Sequence, residues 1–260
     1  MVSISDESEF AWILEGRDKM VGGAESPTWR GNFVSHALPN TFSAYCKIFH
    51  PMYEDKSISD FTITWNDFEK TKPHFPAAEW RRKLLLERRH LRLRANRVLL
   101  RTLAQRYDLT LKPEFSVQSF SKVFPLGSLP RYLVGPHEGT LDVETSAAIV
   151  EVLTPFTRAE NIFFRFSDYL MNDLPHLFAG ELAEVTTFFE KPQFGGTPEY
   201  WWPRDHSWCL CTDWDLTFTL LGGSQPMIAS CMRHPAVECV SVNLDTRIDY
   251  LADRDKSSEL

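Results

Sequence analysis

The sequence predicts an α+β fold: one mixed, mostly antiparallel sheet, built mainly from the C-terminal half, with helices packed on one side. Three observations support this fold class. The composition is that of a globular protein, with 43% hydrophobic and 24% charged residues among 260. Strand-like alternation of apolar and polar residues is concentrated after residue 160. Apolar residues at helical spacing occur in segments other than those with strand-like alternation. We expect a single globular domain over residues 1–260.

The first predicted helix follows Leu38-Pro39-Asn40, a segment typical of a helix start. His50-Pro51 predicts its end, because the residue before a proline disfavours α backbone. Further along, Phe61, Ile63 and Trp65 alternate with threonines, which predicts a short half-buried strand. The apolar residues of the helix recur at i, i+3, i+4 and i+7, at Phe42, Tyr45, Cys46 and Phe49.

A strongly basic helix is expected between Pro76 and Asp108, as one long helix or two with a break near Arg94. The segment has no glycine and no internal proline, and its Leu, Arg and Ala residues favour helix. Ten basic residues stand against one acidic residue between 80 and 106, and 76–110 is a candidate insertion. The basic residues encircle the predicted helix, which favours salt bridges within or between subunits. An acidic protein partner and nucleic acid are the alternatives.

The middle of the chain alternates irregular and regular segments. Residues 113–139 contain four prolines and predict a loop, with a strand around Arg131–Val134. Asp142 is a predicted N-cap of the next helix. Ile162–Phe166 predicts a strand. The apolar residues of Leu177–Val185 fit the periods of strand and helix almost equally well.

The clearest strand pattern in the sequence covers Trp208–Leu221. Alternation places Trp214 on a face that is apolar except for Thr212, and Asp213 and Asp215 on the opposite, polar face. The run is long for a strand, so we expect a bulge or bend near the two aspartates. The predicted apolar face consists of Trp208, Leu210, Thr212, Trp214, Leu216, Phe218 and Leu220.

A βαβ-like ending follows this strand. Gly222-Gly223 permits a sharp turn, and Ser224 is a predicted cap for a helix through about Arg233. His234-Pro235 ends that helix, and the chain returns as a strand at Val237–Val242.

The two aspartates of the polar face are the centre of the candidate binding site. Carboxylates at i and i+2 of a strand stand roughly 6–7 Å apart, which suits a metal ion or an acid–base pair. The Arg204–His206 segment precedes the strand, and the Trp201-Trp202 pair offers the aromatic groups that anchor many interfaces. A solvated face or turn is the other interpretation. The predicted binding residues are Trp201, Trp202, Arg204, Asp205, His206, Asp213 and Asp215.

The number of cysteines is odd, five, which argues against a set of disulfides. Residues 1–14 contain no basic residue and do not resemble a signal peptide. Together these observations favour a reducing, cytoplasmic location. No apolar run reaches the roughly 18 residues of a membrane helix. Spacing alone would allow Cys209, Cys211, Cys231 and Cys239 to form a metal site. Zinc thiolates, however, are usually spaced C-x2–4-C, unlike the C-x-C and C-x7-C found here. We therefore predict free, mostly buried thiols, with no metal and no cofactor.

Several motifs together resemble those of a family of uncharacterised bacterial proteins. The matching pieces cover about half of the chain, at both ends, and leave out the Arg-rich segment. The resemblance implies a bacterial cytoplasmic origin and a strand at Leu177–Val185, but no reaction. A Leu-Pro helix followed by a sheet is also remotely similar to the SUKH immunity-protein superfamily. The motifs are Leu38-Pro39…His50-Pro51, Trp201-Trp202-Pro203-x-Asp205-x-x-Trp208, Thr212-Asp213-x-Asp215, Gly222-Gly223-Ser224 and Pro235-x-x-Glu238.

These observations favour a protein-binding module with an immunity or regulatory role, whose partner is a toxin, another protein or a second copy of the chain. The motifs of serine hydrolases, zinc proteases and P-loop proteins are absent from the sequence. The first alternative is a metal-assisted hydrolase that uses Asp205, His206, Asp213 and Asp215. The second is a nucleic-acid binder that uses the Arg-rich helix over 80–106.

Overall fold

The computed structural model places the described residues in two compact units. The first consists of Met1–His50, Lys112–Glu114 and His137–Leu260, and the second of Pro51–Leu111 and Phe115–Pro136. The sequence predicted one domain over residues 1–260, whereas the structure divides into these two units. The predicted α+β class is confirmed, with helices, a large antiparallel sheet and a small one. The described residues are 1–6, 8–20, 26, 28–70, 95–136, 138–158, 161–166, 177–190, 194 and 196–252.

Eleven strands occur in the described residues, and eight of them belong to the first unit. They are β1 (Val2–Ile4), β2 (Ala44–Phe49), β3 (Met52–Glu54), β4 (Asn96–Val98), β5 (Leu133–Val134), β6 (Ile162–Arg165), β7 (Leu177–Gly180), β8 (Tyr200–Pro203), β9 (Cys209–Cys211), β10 (Phe218–Gly223) and β11 (Cys239–Val242).

Seven α-helices accompany them in the described residues, together with three 3₁₀ segments at Pro125–Gly127, Thr154–Phe156 and Leu182–Glu190. The α-helices are α1 (Ser8–Gly16), α2 (Val34–Ala37), α3 (Trp65–Lys70), α4 (Leu100–Arg106), α5 (Val117–Ser121), α6 (Val143–Leu153) and α7 (Gln225–Arg233).

The large sheet has the strand order β1-β7-β6-β8-β9-β10-β2-β11, and every neighbouring pair is antiparallel. Strand β2 lies between β10 and β11, although it comes from the N-terminal part of the chain. Because β10 and β11 both run antiparallel to β2, they are parallel to each other and are joined by α7. The predicted βαβ-like ending is therefore confirmed, with β2 inserted between its two strands.

Both faces of this sheet are buried, because two hydrophobic cores lie on opposite sides of it. The first core contains Phe164, Trp201 and Leu221 and is covered by α6, α7 and the segment Leu182–Glu190. The second core contains alternate residues of the same strands and is covered by α1 and α2. Helices therefore pack on both sides of the sheet, where the sequence predicted one side.

The helix predicted after Leu38-Pro39-Asn40 is wrong, because this segment forms β2. A central strand with both faces buried is apolar nearly throughout, and such a run fits a helical period by chance. Even Lys47 is fully buried: its Nζ donates to the carbonyl of Pro113 at 2.9 Å and lies 4.2 Å from the Phe218 ring centroid.

The local caps of the first unit are confirmed. The Asp142 side chain accepts from the Thr145 amide at the start of α6, and Ser224 accepts from the Met227 amide at the start of α7. Strand β6 also lies where it was predicted. Leu177–Val185, for which strand and helix were both open, contains one of each: β7 ends at Gly180, and a 3₁₀ segment begins at Leu182.

The second unit contains the three-stranded sheet β4-β3-β5 with α3, α4 and α5. The predicted strand at Phe61–Trp65 is wrong, because α3 begins at Trp65 and Thr64 caps it. The Thr64 hydroxyl donates to the Asp67 carboxylate and accepts from the Asp67 amide at 3.2 Å. The strand predicted near Arg131–Val134 is confirmed as β5, and the predicted loop before it also holds α5.

The predicted Arg-rich helix lies mostly outside the described residues, which resume at position 95. There the chain forms β4 before α4, so no helix continues through 96–98. Arg106 at the end of α4 pairs with Glu54 at 2.7 Å, an example of the salt bridging expected for these arginines. Within the described residues, no helix combines the length and apolar character that a membrane crossing requires.

Candidate functional site

The single strand predicted over Trp208–Leu221 is a hairpin of two strands. Strands β9 and β10 pair antiparallel, with Leu220 opposite Cys211. Residues 212–217 connect them, and we call this segment the hairpin tip. The bend expected near the aspartates is thus a complete reversal of the chain. Since the alternation restarts after the reversal, Leu210 belongs to the first core and Leu220 to the second.

This reversal exposes the aromatic side chain that the alternation predicts to be buried. Trp214 is 52% exposed at the turn, and Asp215 beside it is also exposed. Trp208, which the same pattern assigns to one face with Trp214, is fully buried. The assignment of Trp214 to the core is therefore wrong, because the turn interrupts the alternation.

The hairpin tip is held by backbone contacts. The Leu216 amide donates to the Asp213 carbonyl at 3.0 Å and closes the turn. The Gly139 amide donates to the Leu216 carbonyl at 2.9 Å. Gly139 has φ +67°, and a Cβ there would lie 2.6 Å from the Trp214 Cα. Only glycine allows this close approach, so the loop before α6 fixes the tip.

A buried chain of polar groups lies where the tip joins the strands. The His50 Nε2 is 2.9 Å from the Thr219 hydroxyl, which is 2.7 Å from the Thr212 hydroxyl. All three side chains are buried. Sequence reasoning missed this chain, because Thr212 and Thr219 are seven residues apart and on opposite faces of the predicted single strand, and only the hairpin brings them together.

The two aspartates of the tip have different surroundings. Asp213 is half-buried, and its Oδ1 accepts no hydrogen bond from the part of the chain that the structure describes. Burial, and then repulsion from Asp215, raise the pKa of Asp213 from its ordinary 3.8 to about 6. Asp213 therefore changes charge in mildly acidic solution, with Asp215 next to it.

The predicted site residues do not form one site. Residues 204–207 form the turn between β8 and β9, whereas the hairpin tip follows β9, so the two groups lie at opposite ends of this strand. His206 and Asp213 are seven residues apart in the sequence, and β9 lies between them. Of the four groups assigned to a metal-assisted hydrolase, Asp205 and His206 thus lie before β9, and Asp213 and Asp215 lie after it.

The predicted aromatic anchors Trp201 and Trp202 are fully buried on β8. Trp201 belongs to the first core and Trp202 to the second, where it stacks on Phe163 at 5.5 Å. Neither indole reaches a surface, because neighbouring residues of a strand point into opposite cores here. The exposed aromatic group beside the aspartates is Trp214.

The turn at the other end of β9 presents His206 in a constrained conformation. Its φ is +54°, and its amide donates to the Pro203 carbonyl at 2.9 Å. The imidazole stacks on Trp12 of α1, with ring centroids 4.0 Å apart. Partial burial lowers the pKa of His206 below its ordinary 6.5, although Glu9 and Asp205 act in the opposite direction.

All five cysteines are free thiols, as predicted. Cys209 and Cys211 point into the second core. Three other thiols meet at the first core, with their sulfur atoms all within 4.8 Å of one another: Cys46, Cys231 and Cys239. Sequence reasoning considered Cys231 and Cys239 as metal ligands but not Cys46. Cys46 is far from both in the sequence, and no spacing motif connects it to them.

No protein-family model, no curated protein and no solved structure matches this chain. The resemblances stated above therefore remain predictions.

Proposed function

We propose that this chain is a protein-binding module that contacts its partner through the hairpin tip, with the immunity or regulatory role that the sequence resemblance implies. The observation that supports this proposal is the exposed indole of Trp214 in a tip fixed by Gly139. A rigid aromatic side chain loses little conformational entropy on binding, and tryptophan is enriched among the residues that dominate interface energies.

The side chains of the hairpin tip indicate which kind of partner surface would complement it. Asp215 is exposed beside Trp214, and Asp213 is half-buried on the other side. An apolar pocket for the indole, edged by lysine or arginine side chains, would complement this arrangement. Opposite charges at the edge of an interface mainly accelerate association, so we expect the association rate to fall as salt is added.

A photo-crosslinking amino acid at position 214 tests the proposal in cells. Its matched control is the same group at Tyr250, another aromatic residue of the first unit that is 58% exposed. We expect a covalent adduct with one protein from position 214 and none from position 250. The absence of an adduct at position 214, or adducts at both positions with the same proteins, would contradict the proposal.

The affinity for the purified crosslinked protein provides the second measurement. Trp214→Ala should weaken binding by about 30-fold or more, the effect of losing about 2 kcal/mol at an interface hot spot. Tyr250→Ala should leave the affinity within about threefold of the wild type. Equal affinities of the wild type and Trp214→Ala would mean that the tip is not the contact surface.

A further inference from the structure

Three cysteines from distant parts of the sequence converge on one face of the large sheet. Cys46 is in β2, the strand next to the sheet edge, Cys231 is in the last turn of α7, and Cys239 is at the start of the edge strand β11. The strand register explains the arrangement. Cys239 pairs with Ile48, and Ser241 pairs with Cys46, so Cys46 and Cys239 are diagonal neighbours on the same face. Helix α7 packs on this face and places Cys231 over both.

The distances match those of a metal–thiolate centre. The Sγ atoms of Cys231 and Cys239 are 3.8 Å apart, and all three sulfur atoms lie within 4.8 Å of one another. A metal–sulfur bond of about 2.3 Å separates two thiolates by about 3.8 Å in tetrahedral geometry and by about 4.0 Å in trigonal geometry. The three thiols therefore need little movement to bind one ion.

From this arrangement we propose that Cys46, Cys231 and Cys239 bind a single thiophilic d¹⁰ metal ion, Zn²⁺ or Cu(I). Thiolate ligands select these ions over the hard cations Mg²⁺ and Ca²⁺. Within the described part of the chain, no carboxylate or imidazole joins the group. Cu(I) needs no fourth ligand, whereas Zn²⁺ takes a water molecule at the side of Cys239, the one partly exposed member.

The other two cysteines are buried but do not belong to a cluster of three thiols. Cys209 and Cys211 are also fully buried, but they belong to the second core, and the Cys209 thiol donates to the carbonyl of Leu210 at 3.9 Å. Burial of a cysteine in an apolar core therefore does not by itself explain why three thiols lie together. These two residues are also matched controls, because each has the same side chain in the same sheet.

The thiol cluster is separate from the hairpin tip. Cys46 lies three residues from Phe49, which pairs with Phe218 at the start of β10, so about 10 Å of strand separates it from the tip. Metal binding would fasten α7 and the edge strand β11 to the neighbouring strand β2. The failure of this inference would therefore leave the proposed protein contact untouched, and the reverse also holds.

Metal binding is tested on the full chain after reduction and removal of metal with a chelator. Zn²⁺ and Cu(I) are added separately, in competition with a coloured chelator specific for each ion. We expect one equivalent of at least one of the two ions to bind to the wild type and to Cys211→Ala. Cys239→Ala and Cys46→Ala should bind less than about a tenth of an equivalent under the same conditions. Loss of binding in Cys211→Ala as well, or its retention in Cys239→Ala, would overturn the proposal.

Two measurements on the wild-type chain do not depend on whether a variant folds. Free metal at a hundredfold excess over its Kd should raise the melting temperature by roughly 5–10 °C. Free metal at ten times its Kd should slow alkylation of Cys239 by about tenfold, as followed by peptide mass spectrometry. If neither ion protects Cys239, the proposal is wrong. A Cys231–Cys239 disulfide in a chain that binds neither ion would identify a redox pair instead.

Discussion

The Gly139 amide donates a hydrogen bond to the Leu216 carbonyl, and the absent side chain of Gly139 makes room for the backbone of Trp214. These two contacts join a loop before α6 to the tip of a hairpin far along the chain. They support a short turn that contains no glycine or proline and exposes a tryptophan.

Gly139→Ala should be more destabilising than Gly127→Ala. Both glycines have positive φ, so each alanine has the same left-handed strain of about 1–2 kcal/mol. A Cβ at position 139 would meet backbone atoms of Trp214, whereas no atom of the described residues lies within 4 Å of a Cβ at position 127. We expect an additional loss of about 1–3 kcal/mol in the free energy of urea unfolding for Gly139→Ala. Equal losses would mean that the tip moves away from this loop without cost.

Trp214→Ala should change the free energy of unfolding by about 1 kcal/mol or less, because the side chain is exposed. Trp208→Ala, the matched control, removes a fully buried indole that donates to the Thr157 hydroxyl, and should cost about 3–5 kcal/mol. Thermal unfolding of the two purified variants measures the difference. If Trp214→Ala is as unstable as Trp208→Ala, the indole is part of a core.

Asp213 should make stability depend on pH between about 4 and 6. The pKa of Asp213 is about 6 in the folded chain and near 3.8 when unfolded, so the folded state binds the extra proton in this range. Stability from this group is present below pH 4 and is lost as pH rises through 6, a loss on the order of 3 kcal/mol.

The variant Asp213→Asn should therefore flatten this part of the stability profile and stabilise the chain at pH 7. Asp215→Asn removes only the neighbouring charge and should have a smaller effect in the same direction. Urea unfolding at several pH values distinguishes these expectations. A profile of Asp213→Asn that is parallel to the wild type would show that another group is responsible.

The His206–Trp12 stack should be detectable in the titration of the imidazole. Burial is the main cause of the lowered pKa of His206, so Trp12→Ala should raise this pKa toward 6.5. Glu9→Gln should lower it further, because the carboxylate of Glu9 favours the charged imidazole. NMR titration of the His206 ring protons measures both shifts. Shifts of the same sign in the two variants would refute this account.

The elements that local chemistry determines could be predicted from the sequence. Asp142 and Ser224 each accept a hydrogen bond from an amide three residues later, so the helices that they begin are visible in a short window. Strand β6 and the return strand after α7 were predictable for the same reason, since their patterns are short and are bounded by clear interruptions.

The errors concern features that depend on distant residues. Strand β2 is a strand because β10 and β11 flank it, and its own buried residues fit a helix equally well. The hairpin tip contains no turn residue such as glycine, and its support comes from Gly139. Without this turn, alternation assigns Trp214 to the core and places Asp213 and Asp215 on a flat face. The meeting of Cys46 with Cys231 and Cys239 likewise depends on the strand order.

The position of β2 between β10 and β11 has a consequence during protein synthesis. This strand leaves the ribosome long before Phe218–Gly223 and Cys239–Val242, the segments that pair with its two edges. At a synthesis rate of about 5–20 residues per second, the roughly 170 residues between β2 and β10 take on the order of ten seconds or more to translate. During that interval, an apolar strand has no native neighbour on either edge. Nascent chains stalled before residue 218 should therefore recruit chaperones to this segment more strongly than completed chains do.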